Sequence, residues 1–342
     1  MIGQNPVGVI NRATGAPTPT GDLMKDIKYV AGLFDGEGSV SIILRLYKSL
    51  TRNPCHYLSC GISLTNKQTI DMLQNEFGGK VVLLRSKGNR KPCWRWTLDN
   101  SSAVQFLEAI EPYSCVKLTQ ILVGLSFQGR RHPSNSLPQS EVEIRECYRQ
   151  AMWAINGLGS RGESHNRHRI IPIVSPTNPA RIVIGSLVDE ADAEMSKRLA
   201  VSFSLPYMAG LFDAEGNVSI ELHDKKYHSL YSQISSTNRA LLMAICEQYG
   251  GNVKRVHGKT ANSSELWAWY LRGEKTLEFL KRLRPLLVVR ASQTDLGIEF
   301  QTTKKRYKQL SVEEFEKREN YRRAIWKLNG SSSRNHQKWN CD

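Results

Sequence analysis

Two stretches decide how this chain folds: Tyr29-Val-Ala-Gly-Leu-Phe-Asp-Gly-Glu-Gly-Ser-Val-Ser-Ile42 and, far downstream, Tyr207-Met-Ala-Gly-Leu-Phe-Asp-Ala-Glu-Gly-Asn-Val-Ser-Ile220. Reading outward from them, the echoes continue in order. Ile62-Ser-Leu-Thr-Asn66 returns as Ile234-Ser-Ser-Thr-Asn238, Gly78-Gly79 as Gly250-Gly251, Trp94-Arg-Trp96 as Trp267-Ala-Trp269, and Pro112 as Pro285. The ends match too: Tyr148-Arg-Gln-Ala-Met-Trp-Ala-Ile-Asn-Gly157 against Tyr321-Arg-Arg-Ala-Ile-Trp-Lys-Leu-Asn-Gly330. Ordered self-similarity on this scale means one domain present twice.

The duplication sets the organisation. Residues 1–21 read as a flexible N-terminal extension, 22–157 as the first domain, 158–199 as a linker along the surface, 200–330 as the second domain and 331–342 as a tail. Within the first copy the spacing predicts an apolar helix from Leu23 to Gly36. Alternating strands follow over Ser39–Tyr47 and Tyr57–Thr65. A helix over Lys67–Phe77 is stopped by Gly78-Gly79. Strands over Lys80–Ser86 and Cys93–Leu98 come next, then a helix from Ser101 to before Pro112. Helices over Lys117–Phe127 and Glu141–Ile155 close the unit. The order αββαββα with a helical tail implies an α+β fold with an antiparallel sheet. Two tandem copies on one chain would pair about a pseudo-twofold axis, making the monomer an internal pseudo-dimer.

Bulk properties narrow the function. The 342 residues carry 47 Lys and Arg against 32 Asp and Glu, a formal net charge of +15. A chain this basic points to a polyanionic partner, nucleic acid first. No apolar stretch approaches the ~20 residues of a membrane span, so no membrane partner is expected. The seven cysteines are odd in number and contain no CxxC pair, which argues against a disulfide framework or a zinc site. Cys55, His56 and Cys60 fall in a predicted strand and read as packing.

The repeated helix carries its own chemistry. Gly32 and Gly36, like Gly210 and Ala214, are spaced to share one helix face, where small residues let two backbones touch. Packed so, the helices bring Glu37 and Glu215 together at their C-terminal ends. The two carboxylates repel, the helix dipoles add to the cost, and a bound cation relieves it. Oxygen ligands of this kind suit Mg²⁺. Gly38 and Gly216 are expected to permit the turn into the next strand. Trp94, Trp96, Trp267 and Trp269 share a strand parity that reads as core.

Val30-Ala-Gly-Leu-Phe-Asp-Gly-Glu-Gly38 and Met208-Ala-Gly-Leu-Phe-Asp-Ala-Glu-Gly216 resemble the LAGLIDADG motif of homing endonucleases, and the resemblance extends over both repeats. It implies two LAGLIDADG domains whose antiparallel sheets form a DNA-binding saddle. It further implies a site-specific double-stranded DNA endonuclease that hydrolyses phosphodiester bonds across the minor groove with a divalent metal, leaving a staggered break at a long asymmetric site. Metal roles fall to Glu37 and Glu215, with Gly36 and Ala214 beside them in the metal set. Mg²⁺ or Mn²⁺ would serve catalysis, and Ca²⁺ would bind without supporting cleavage. Asp35 and Asp213 read as structural acceptors of hydrogen bonds. Lys117, five residues after Pro112 and three before Gln120, matches the family's catalytic lysine, and its copy is Arg290. Asn66 and Asn238 have two readings: polar residues that orient water near the metals, or N-caps of the following helices. Ile70 and Leu242 stand where some relatives carry a basic residue. The resemblance also implies an intron-encoded protein of an organelle, mitochondrion or chloroplast. A different reading within it is an intron maturase that binds intron RNA.

Strand alternation names the DNA-facing residues. In the first copy these are Ser41, Ile43, Arg45, Tyr47, Tyr57, Ser59, Ser63, Lys80, Arg95 and Thr97. In the second they are Ser219, Glu221, His223, Lys225, Tyr231, Gln233, Ser235 and Lys254.

Overall fold

A computed structural model describes residues 26–45, 55–84, 92–129, 137–157, 175, 177–224, 226–256, 265–303 and 310–330. The N-terminal extension, the first part of the linker and the C-terminal tail lie outside the described residues, as do Tyr47 and Lys225.

The first repeat runs α1 (Ile27–Glu37), β1 (Gly38–Arg45), β2 (Cys55–Leu64), α2 (Lys67–Phe77), β3 (Lys80–Leu84), β4 (Cys93–Asp99), α3 (Asn100–Ile110), a 3₁₀ turn (Glu111–Tyr113), α4 (Leu118–Gly129) and α5 (Gln139–Ile155). Helix α6 (Pro179–Leu199) follows. The second repeat is α7 (Leu205–Glu215), β5 (Gly216–His223), β6 (Tyr227–Ser236), α8 (Arg239–Tyr249), β7 (Asn252–Val256), β8 (Leu266–Arg272), α9 (Glu274–Leu283), a 3₁₀ turn (Arg284–Leu286), α10 (Ala291–Thr303) and α11 (Val312–Asn329). Each repeat holds one four-stranded sheet, ordered β1-β2-β4-β3 and β5-β6-β8-β7, with every pairing antiparallel. The expected α+β architecture, duplicated, is therefore present.

Helix α1 is buried from Tyr29 through Asp35, and α7 from Tyr207 through Ala214. Helices apolar on nearly every face belong inside a core, and these two pack on each other more extensively than any other pair of elements. The core is continuous across both repeats. Within each half an aromatic cluster fills the space between sheet and helices. Trp96 meets Phe106 edge-on at 5.0 Å between centroids, and Trp269 meets Phe279 at 5.2 Å. Each indole N–H donates to a glycine carbonyl at the end of the preceding helix, Trp96 to Gly78 at 2.7 Å and Trp269 to Gly250 at 2.8 Å. Trp94 and Trp267, expected in the core, are only half-buried. They lie at the sheet ends, where Lys67 covers the first ring at 5.2 Å and Arg239 the second at 4.9 Å.

Two regions differ from the sequence reading. The stretch taken as a surface linker contains α6, a helix of 21 residues with Asn178 as N-cap and Pro179 opening the first turn. It lies on α4 and α5 of the first repeat and buries Ile184 and Ala191. His56, read as packing, belongs to a buried polar triad centred on Glu146. The His56 Nε2 lies 3.0 Å from Glu146 of α5, and Arg149 Nε donates to the same carboxylate at 2.7 Å. The second repeat copies it: His228 Nε2 is 3.1 Å from Glu319, and Arg322 Nε donates to Glu319 at 2.6 Å. These triads fasten the tail helices α5 and α11 to the second strands of their sheets. No described helix is long and apolar enough to cross a membrane.

Candidate active site at the meeting of two helices

The seam between α1 and α7 is built on missing side chains. A Cβ added to Gly32 would collide with the Tyr207 carbonyl oxygen and lie 2.9 Å from Leu211 N. One added to Gly210 would collide with the Tyr29 oxygen and lie 2.8 Å from Leu33 N. At the last turn, a Cβ on Gly36 would strike the Ala214 methyl. The contact is isologous, as a pseudo-twofold requires.

Gly38 and Gly216 were expected to permit a turn, but their φ angles of −75° and −74° are open to any residue. They are glycines because a Cβ would run into the Phe34 or Phe212 ring and carbonyl. The glycine thus lets the strand leave its helix while hugging it.

This close seam delivers Glu37 and Glu215 to one recess. Glu37 is exposed and Glu215 half-buried. A Cβ on Gly36 would stand 3.1 Å from Glu215 Cγ. Both glutamates line a cleft of about 520 Å³ with Ala214, Arg290, Tyr231, Trp326 and Asn329. Protein crowding around the recess strips water from both carboxyls, even though the Glu37 side chain keeps one side open to solvent, and pushes both upward; the charge of Glu37 adds to this at Glu215, which reaches about 7. Lys117 and Arg290 oppose the shift at both glutamates. Burial lowers the pKa of Arg290, while Asp213, Glu37 and Glu215 hold it up. Its Nε has no hydrogen-bond partner among the described residues.

Asp35 and Asp213 act as the sequence suggested, as hubs of structure. Asp35 accepts from the Ser114 hydroxyl and from the backbone N–H groups of Cys115 at 2.6 Å, Val116 at 3.0 Å and Lys117 at 2.9 Å. Asp213 accepts from Val288 N and Arg290 N, each at 2.7 Å. The loops that present Lys117 and Arg290 are thereby tied to the ends of the two central helices. Sequence reading missed the tyrosines that complete each hub. Tyr207 donates its hydroxyl to Asp35 and Tyr29 donates to Asp213, both at 2.7 Å. The signal was present, since tyrosine precedes the motif in both copies, but a hydroxyl reaching the opposite repeat has no trace in one repeat's periodicity.

Asn66 and Asn238 are helix caps. Asn66 Oδ1 accepts from Thr69 N at 2.9 Å, and Asn238 Oδ1 from Leu241 N at 3.0 Å. Their side-chain oxygens are spent on the backbone, and neither lines the cleft. Of the two readings, capping is what this structure displays. Ile70 and Leu242 are fully buried apolar residues.

The predicted contact surface divides by access. Arg45, Lys80, Arg95 and Lys254 are exposed, and Ile43 is 37% exposed. Ser41, Tyr57, Ser63, Thr97, Glu221, His223, Tyr231, Gln233 and Ser235 are half-buried on the same outer faces. Register confirms the parity: Ser41 faces Ser59, Ile43 faces Tyr57, and Lys80 faces Thr97. Ser59 and Ser219 are corrections of access. They occupy the outer face but are only 8% and 5% exposed. Ser59 sits between two paired strands, and the Tyr231 hydroxyl hydrogen-bonds over Ser219. The sequence reading omitted Arg272, an exposed outer-face residue paired with Glu221 and lying over the Tyr231 ring.

The duplicated α+β fold is that of the monomeric two-domain LAGLIDADG meganucleases. The similarity spans most of the chain. I-SmaMI bound to uncleaveable DNA superposes with a TM-score of 0.62 at 13% identity, covering 88% of this chain and 99% of that one. The LAGLIDADG homing endonuclease I-GzeII in complex with its DNA target gives 0.56 at 16%, covering 90% and 98%. I-SmaMI bound to uncleaved DNA in the presence of calcium ions gives 0.50 at 11%, covering 89% and 98%. No protein-family model and no curated protein sequence matches the chain.

Proposed function

We propose that this protein is a metal-dependent endonuclease that cuts double-stranded DNA at a long, asymmetric site. The observation that carries the reading is the meeting of Glu37 and Glu215 in one cleft that Arg290 also lines, close enough to Lys117 for its charge to act on both carboxyls. Among the described residues no cluster of three or more His, Cys, Asp or Glu could cage an ion. Two converging carboxylates with raised pKa are instead suited to a cation that completes its shell with water and phosphate oxygens, as Mg²⁺ or Mn²⁺ does. Such an ion supplies charge neutralisation and an activated water when bound.

The protein's own groups then have clear tasks. Glu37 and Glu215 hold the ion, with the Gly36 and Ala214 backbone at the same helix ends. Lys117 can neutralise phosphate charge and exchange a proton. Arg290 neutralises charge but keeps its proton near neutral pH. The two strands are therefore expected to be cut at different rates. In strand-resolved nicking, Lys117→Met and Arg290→Met should slow different strands, and equal losses on both would count against this assignment. The outer sheet faces supply the contact surface. Arg45 and Arg95 suit guanine edges, Gln233 suits adenine, and Lys80 and Lys254 suit phosphates. Because the two faces differ at nearly every position, the target lacks twofold symmetry.

The test is sequencing of the products formed by purified protein with Mg²⁺ on a DNA library. A discrete staggered cut, lost in Glu37→Gln and Glu215→Gln while DNA binding persists, supports the proposal. Specific binding to an intron transcript with no cleavage of any DNA would replace it with the maturase reading.

A further inference from the structure

Each basic residue of the site sits on a loop whose anchoring is only partly its own repeat's work. The loop bearing Lys117 is tied to Asp35 by three backbone N–H groups and one hydroxyl from its own repeat. The remaining donor to Asp35 is Tyr207 of the other repeat. The arrangement is mirrored at Asp213, which receives Val288 and Arg290 from its own repeat and Tyr29 from the first. Both tyrosines are buried, Tyr29 at 0% and Tyr207 at 3% exposure, so neither hydroxyl has water as an alternative partner. A buried carboxylate that lost one donor would hold its loop with fewer hydrogen bonds.

We infer that Tyr29 and Tyr207 are positioning residues acting in trans: Tyr207 sets the loop of Lys117 through Asp35, and Tyr29 sets the loop of Arg290 through Asp213. The hydroxyl does more than fill the seam, because a phenylalanine would pack the same ring against the same neighbours. It makes the placement of each repeat's cationic side chain conditional on the docking of the other repeat. A half that is folded but undocked would present its glutamate with a slack basic loop.

The geometric part of this inference needs no assumption about the reaction, while its catalytic consequence rests on the nuclease reading. The experiment therefore has two readouts on the intact protein. Hydrogen exchange followed by mass spectrometry is compared for wild type, Tyr207→Phe and Tyr29→Phe, on peptides covering residues 114–118 and 287–291. Tyr207→Phe should speed exchange in the first peptide by on the order of tenfold and leave the second unchanged, and Tyr29→Phe should do the reverse. Faster exchange in both loops with either variant would reduce the tyrosines to general packing groups. Acceleration confined to the loop of the mutated repeat, or none at all, would equally overturn the inference. In strand-resolved cleavage, each variant should lower the rate at saturating protein with unchanged DNA affinity, Tyr207→Phe following the bias of Lys117→Met. If wild type cleaves nothing yet the crossed exchange pattern holds, the nuclease reading fails and the positioning stands. If cleavage is normal and the pattern is absent, the reverse is true.

Discussion

Replacing Glu215 with glutamine should make the metal-free protein more stable at pH 8, although it removes a residue of the site. Burial, then the neighbouring Glu37 charge, lifts the Glu215 carboxyl to about 7. A folded-state value above the unfolded one favours the protonated form in the native state. The stability it contributes is fully present below the unfolded value of about 4.5 and is lost as pH rises through about 7. At about 1.4 kcal/mol per pH unit the full loss is about 3 kcal/mol, which partial solvent screening reduces toward about 2 kcal/mol. Glutamine is neutral throughout and avoids the loss. Urea unfolding with a chelator present, at pH 8 and again near pH 4.5, measures the difference. The variant should gain about 2–3 kcal/mol at pH 8 and little near pH 4.5. Equal stability at pH 8, or an advantage that grows toward acid, would refute the picture of a charge held in the recess at a cost. Adding Mg²⁺ should stabilise wild type more than the variant, since only wild type keeps both carboxylates.

Gly210→Ala should destabilise the protein by about 3 kcal/mol or prevent folding, because the new methyl meets the Tyr29 carbonyl at a seam with no slack; thermal unfolding checks this, and a change below about 1 kcal/mol would mean the helices can part. Glu146→Ala strips the shared carboxylate from His56 and Arg149 and should cost about 3–5 kcal/mol in chemical denaturation, against almost nothing for an exposed pair such as Lys67–Asp71. Arg95→Ala should relax base preference at one target position, at a cost of about 1–3 kcal/mol, and leave the slope of log affinity against log salt unchanged; a slope lower by about one with unaltered preference would move Arg95 from a guanine edge to a phosphate.

The parts of the fold most legible in the sequence were those that repeat. Helix α2 spans the residues its periodicity predicted, because Asn66 and Gly78 mark both ends. The strands were also found; where their ends fall within the described residues they shift by no more than one residue, β2 stopping at Leu64 and β4 running on to Asp99. The parity of β1 and β5 was enough to bring the outer-face residues onto one side. Helix α6 was invisible for a physical reason: its buried residues Ile184, Ala191 and Leu199 come only about once every two turns, while the apolar Ile182 and Val183 point to solvent, so no amphipathic stripe shows in the sequence. The glutamate pair followed from small residues at helix spacing. What could not follow was the hydrogen bonding and ion pairing of side chains that meet from distant parts of the chain. The Tyr29 and Tyr207 hydroxyls, the Arg272–Glu221 pair and the His–Glu–Arg triads belong to that class. Solvent access also escaped the reading, since alternation assigns Ser59 to a face without saying what shields it.

Helix α6 changes what the long connection means for anyone recombining the halves. Docked along α4 and α5 and ending at Leu199, it leaves only a few residues before α7 begins at Leu205. Its last turn also reaches the Lys117 loop, where Arg198 donates to the Ser114 carbonyl at 3.1 Å and pairs with Glu111 at 2.8 Å. The effective tether is thus the short run after the helix, which keeps the local concentration of the second half high whatever the length upstream. A graft of a foreign second half should succeed when joined behind Leu199, and should fail to place its partner's lysine when the splice discards Arg198.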